Sequence, residues 1–245
     1  MLAVWPGISN VAMIVATYLA RKLPFKELAE VRAAYFFDPI GVVVKGGVVE
    51  EPQFPRSRFY YLKSSGGSDI ILFIGEAQPS TKGYEMANCV LDVGLKFRVK
   101  RVYTCAAALT RIHHTEQPRV WAVGTNQAVA RELYRFDPVK GGNLHISGLN
   151  GLLLGVAKER DMDGICLLGE VPTYATRLQN PIAALAILTT LTGMLGIEVN
   201  TDELARLASE AREGMKRVAA EAMEEYIDYF TEPIWERGED EGGDG

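Results

Sequence analysis

Three short apolar runs, each followed by a segment with helical spacing, set the limits on how this chain can fold. Leu2–Trp5, Ile70–Ile74 and Ile165–Leu168 show no polar alternation. A strand that is apolar on both faces needs cover on both, as in a parallel sheet wrapped by helices. The segments that follow supply that cover. After Pro6-Gly7, Ser9 or Asn10 can cap a helix carrying Val11, Ile14, Val15, Tyr18 and Leu19. Gly83 to Phe97 places Met86, Val90, Val93 and Phe97 near a helical period. Pro181 to Leu195 reads as a helix with proline in its first turn, where proline is tolerated.

The remaining segments fit the same scheme. Val31 to Phe37 reads as a strand stopped by Asp38-Pro39. Val42–Val44 and Val48-Val49 make a hairpin about Gly46-Gly47. Further strands are expected at Arg58–Lys63, Val99–Thr104 and Val120–Val123, and further helices at Gln127–Tyr134 and Leu149–Lys158. Thr201 to Phe230 opens on Thr-Asp-Glu and carries an apolar stripe at Leu204, Leu207, Ala208, Ala211 and Met215, which marks a helix lying on the body of the fold. The chain is 48% hydrophobic over 245 residues, enough for a sizeable core. Residues 1–235 therefore form one α/β domain, with the helix 201–230 at its end. Residues 236–245, glycine-rich and acidic, have nothing to bury and are expected to be disordered.

Charge narrows the function classes. Lys plus Arg number 26 against 31 Asp plus Glu, a formal net charge of -5. The acids of the tail, set against Arg237, carry -4 of it, so the body is nearly neutral. Neither part offers the basic surplus that gripping nucleic acid needs. A membrane span is not expected: Val11–Ala20 is about half the ~20 residues required. Ala183–Leu195 is also too short. Cys89, Cys105 and Cys166 are odd in number, far apart and set in apolar sequence, so they read as buried reduced thiols of a cytoplasmic protein. His113 and His114 point apart in most backbones and His145 stands alone, so no metal site is assigned and no cofactor motif is present.

In open α/β sheets, ligands bind beyond the carboxyl ends of the strands. The polar residues expected there are Asn10, Glu76, Gln78, Thr104, Asn150 and Glu170, a candidate ligand pocket. Two strand ends share a Gly-Glu pair, Gly75-Glu76 and Gly169-Glu170; side by side, their carboxylates would raise one pKa as acid–base pairs do. The alternative is that each caps a helix or pairs with an arginine. Gly148-Leu149-Asn150-Gly151 can hold an anion at a helix N-terminus or serve simply as a cap. It lacks the spacing of a phosphate loop.

Trp5-Pro6-Gly7-Ile8-Ser9-Asn10, Phe36-Phe37-Asp38-Pro39, Gly75-Glu76-Ala77-Gln78-Pro79, Gly148–Gly155, Asp163–Glu170 and Asn180-Pro181 stand in order along residues 2–200. Together they resemble the proteasome assembly chaperone family in its prokaryotic branch. The resemblance implies a three-layer α/β/α sandwich of phosphorylase/hydrolase-like architecture. It also implies a protein-binding, non-catalytic assembly role, with proteasome ring subunits as partners and often a homo-oligomeric state. Some relatives carry an ATP-grasp label, but no phosphate loop with a well-placed lysine goes with it here. Assembly factors that dock in proteasome pockets can end in a hydrophobic residue, a tyrosine and one more. Glu241–Gly245 does not, so another surface is expected to make that contact. The other function left open is a hydrolase, phosphorylase or ligase acting on a nucleoside- or phosphate-type ligand through the strand-end carboxylates.

Overall fold

The first strand, β1 (Leu2–Val4), divides its side chains between two cores: Leu2 and Val4 enter one, while Ala3, with Met1 and Trp5 on either side, enters the other. That alternation is the period-2 geometry of a strand buried on both faces. The structure, a computed structural model, describes residues 1–39, 41–64, 68–136, 138–140 and 144–231.

From β1 the chain turns through Ile8–Asn10 into α1 (Val11–Lys22). It continues through β2 (Lys26–Glu30) and α2 (Ala33–Phe36) to a separate hairpin, β3 (Val44–Lys45) and β4 (Val48–Val49). β5 (Ser57–Leu62), β6 (Ile70–Gly75), α3 (Gly83–Lys96) and β7 (Arg101–Thr110) follow. Then come β8 (Val120–Gly124), α4 (Gln127–Leu133), β9 (Val139–Lys140) and α5 (Gly148–Glu159). β10 (Asp163–Pro172), α6 (Pro181–Leu195) and α7 (Asp202–Thr231) complete the described chain.

The described strands form an eight-stranded sheet in the order β2-β5-β6-β1-β7-β10-β8-β9. Its centre, β6, β1, β7 and β10, is parallel. β5 and β8 pair antiparallel on the two sides. One core joins α1, α4 and α6 to Leu72, Tyr103, Ile165 and Leu167, and Leu204 of α7 reaches it. The other joins Phe36 of α2 with α3 and α5 to Ile71, Phe73 and Val102. The result is the expected three-layer α/β/α sandwich. α6 shows how local chemistry fixes its ends: Asn180 accepts from the Ala183 N–H at 2.9 Å, Pro181 opens the helix, and Gly196 closes it at φ 64°.

Expectations about strand placement and strand length are corrected. Val31–Phe37 is not a strand; the strand is Lys26–Glu30, and Ala33–Phe36 is a helical turn that buries Phe36. Lys26–Glu30 is a sheet edge whose Lys and Glu side chains are exposed, so it carries no apolar run to read. β7 and β10 are each 10 residues long, paired in unbroken parallel register from Asp163↔Arg101 to Pro172↔Thr110. Mutual pairing carries the alanines of β7 and Gly169-Glu170 into the sheet against their weak strand preference. Thr104 and Glu170 therefore lie within strands, not beyond their ends. The expected tail, 236–245, lies outside the described residues.

Candidate functional site: a cleft where one strand outruns its neighbour

β1 pairs with β7 only at Leu2↔Tyr103, whereas β7 runs on to Thr110. Two features stop β1. Pro6 has no N–H to continue the ladder. The Asn150 amide, projecting from α5, takes the place of a strand at Trp5: its Oδ1 accepts from Trp5 N–H at 3.0 Å and its Nδ2 donates to Trp5 C=O at 3.1 Å. Beyond Cys105, β7 keeps β10 on one side and pairs with no strand among the described residues on the other.

That gap is a cleft of about 470 Å³. Its floor is the edge of β7 from Ala106 to Thr110, and its walls include Ile8, Gln78, Trp121 and the loop Leu144–Ser147. Alternate residues of a strand direct both backbone groups to the same side. Tyr103 N–H donates toward β1, to Met1 C=O at 2.7 Å, so Ala107 and Leu109, of the same parity, direct theirs into the cleft. Among the described lining residues, His145 is the only titratable side chain.

Gln78 holds one end of the cleft together. Gln78 donates from Nε2 to Pro6 C=O at 2.6 Å and accepts the Leu149 N–H at 2.8 Å, tying the turn after β1 to the start of α5. One first-turn N–H of α5, that of Leu149, is thus engaged. Ser9 and Asn10 hold left-handed backbone (φ 52° and 55°). Ser9 is pinned to the segment before α6, its N–H donating to Thr176 C=O and its C=O accepting from Asn180 N–H.

Glu170 acts on the cleft from behind. Only 3% exposed, it accepts from the Arg119 backbone N–H at 2.9 Å and guanidinium at 3.1 Å, and from Trp121 Nε1 at 3.1 Å. Burial alone would push its carboxyl up, but these donors outweigh that and hold it below the usual carboxylate value. The bonds fix Trp121 as a cleft wall.

The six candidates therefore separate. Gln78 and Asn150 line the cleft and Glu170 anchors its wall. Asn10, Glu76 and Thr104 are not among its lining residues. Thr104 is buried beside its register partner Cys166. Glu76 closes the β5–β6 end, accepting the Arg56 N–H at 2.9 Å. The expected Glu76–Glu170 pair does not form, because β1 and β7 separate β6 from β10, three spacings of about 4.8 Å. His113 and His114, expected to diverge, stack with centroids 4.0 Å apart in a turn. Among the described residues no group of three or more His, Cys, Asp or Glu could hold a metal ion. The floor residues Ala106–Leu109 and the wall residue Trp121 went unread. Their signal is an alanine run continuing a strand whose neighbour ends at Trp5-Pro6.

The sequence pattern of the PAC2 family matches residues 1–219. The chain is similar to Pyrococcus furiosus PbaB, described as an archaeal proteasome activator, at 28% identity and TM-score 0.74, over 89% of this chain and 92% of that one. It is similar to P. furiosus PbaA, described as an archaeal homolog of proteasome-assembly chaperone, at 25% identity and TM-score 0.70, over 94% and 90% of the two chains. A Mycobacterium tuberculosis proteasome-assembly chaperone homologue shares the fold at 20% identity and TM-score 0.74, over 89% and 94%.

Proposed function

The chain belongs to the PAC2 family, and from that premise we propose that it is a protein-binding, non-catalytic assembly factor acting on proteasome ring subunits. The descriptions of PbaB as a proteasome activator and PbaA as an assembly-chaperone homolog support the partner class. One observation in this chain carries the reading: the cleft at the strand ends offers a backbone edge and apolar walls, while its two amide side chains, Gln78 and Asn150, are engaged in holding backbone. Gln78 and Asn150 clamp the end of β1, and Glu170 is held by Arg119 and Trp121. A hydrolase or phosphorylase working through the strand-end carboxylates would need them free and close together. Glu76 and Glu170 stand on separated strands with donors on each. Among the described residues no helix is long and apolar enough to cross a membrane, and the reading has the chain working in the cytoplasm, where rings are built.

The test is affinity capture from the native cell extract with mass-spectrometric identification, followed by native mass spectrometry of the chain mixed with purified ring subunits. The expected result is recovery of ring subunits and a higher yield of rings in the mixture. Recovery of this chain alone, with no effect on ring yield, overturns the reading.

A further inference from the structure

We propose that the cleft is completed by the β3–β4 hairpin of a second copy of this chain, which lays a strand along the free edge of β7. The cleft defines its occupant by backbone chemistry. Ala107 and Leu109 direct N–H and C=O groups into it with no strand among the described residues to receive them, and such an edge is satisfied by an extended polypeptide. The alanine floor leaves room above it for β-branched side chains.

The same chain carries an element that fits. Val44 pairs with Val49 and Lys45 with Val48 about Gly46 and Gly47, both at positive φ as a tight hairpin turn requires. Val42, Val43, Val44, Val48 and Val49 are all exposed, Val48 at 69%. A lone two-stranded hairpin is marginal in water, and one showing this much valine lacks its packing partner.

Place and charge favour a second copy. β5 begins at Ser57, opposite Gly75 at the carboxyl end of β6, so the hairpin is rooted at the same end of the parallel strands as the cleft. β6 and β1 stand between its root and β7, and Gly41 to Val49 are exposed throughout, so the hairpin does not fill its own cleft. A rotation between copies carries the hairpin of one to the cleft of the next, a head-to-tail contact that makes a closed ring when the rotation closes. A strand laid in line with β1 runs parallel to β7. It then brings Glu51, just past β4, toward Arg111, just past β7. Both are exposed, and neither has an ion pair among the described residues.

Two measurements test this, and neither depends on a proteasome partner. In a Cys89→Ser background, Val49→Cys combined with Leu109→Cys should link under mild oxidation into a covalent ladder beyond the dimer, while each single-cysteine variant should not. Separately, Val48→Asp and Leu109→Asp should each reduce the native mass by light scattering to that of one chain, with far-UV dichroism unchanged because both positions are exposed. A double-cysteine variant that stays unlinked, a ladder from either single variant, or an assembly that survives either aspartate overturns the proposal. Loss of ring-subunit capture in Leu109→Asp with self-assembly intact also overturns it, and assigns the cleft to a ring subunit.

Discussion

Asn150 closes the end of β1 at Trp5 by satisfying both backbone groups of that residue, at 3.0 and 3.1 Å, from a helix on one face of the sheet. Asn150 is 3% exposed and Trp5 is fully buried, so water cannot replace the amide. Asn150→Ala should cost roughly 2–6 kcal/mol, at about 1–3 kcal/mol for each of the two buried groups left unpaired. Asn150→Asp keeps the acceptor but sets a carboxylate against the Trp5 carbonyl, so it should lose at least as much. Urea unfolding measures both; an alanine variant as stable as the parent contradicts the clamp.

Glu170 should make the fold acid-sensitive. Its carboxyl is held below the usual value in the folded chain, so its stabilising effect is fully present above the unfolded-state pKa of about 4.3. That effect is lost as pH falls through the lower folded-state value. Thermal midpoints followed from pH 6 downward should fall in this acid range. Glu170→Gln should flatten the fall while lowering the plateau above it, because it cannot keep the charged bond to Arg119. A variant with the parent's full pH dependence would place the sensitivity elsewhere.

The sandwich was legible wherever burial leaves a chemical trace. Ile70–Ile74 and Ile165–Leu168 are apolar because both faces are covered, and Pro181 announces the first turn of α6. Lys26–Glu30 was hidden because an edge strand held by backbone bonds needs no apolar side chains. The cleft was hidden for a related reason: it exists because β7 outlasts β1, a difference in length set by the β7–β10 register. Asn150 and Gln78 could be picked out as polar residues at strand ends. That they hold backbone, leaving little to offer a ligand, depends on distances that no single sequence carries.

The thiols should divide by burial. Cys105 and Cys166 are fully buried, burial pushing the Cys166 thiol up to about 12 and Cys105 well above its ordinary value. Cys89 is half-buried and raised by burial and by Asp92. At pH 8 the native chain should therefore expose at most one slowly reacting thiol to a disulfide reagent, and all three in denaturant. Rapid native labelling of two or more would mean that the β7–β10 core opens.

Two glycines of α5 provide a paired test of how the cleft wall is held. A Cβ at Gly151 would lie 2.0 Å from the Ile146 backbone oxygen, so a side chain there must displace the loop Leu144–Ser147 or the helix itself. A Cβ at Gly155, one turn further along, would meet nothing within 4 Å. Helix propensity is the same argument at both sites and favours alanine by about 1 kcal/mol. The close approach reverses it at only one of them. Gly155→Ala should raise the unfolding midpoint, and Gly151→Ala should lower it and speed amide exchange across residues 144–150. Stabilisation at both positions would show that the loop does not rest on α5 and that the cleft lacks this wall.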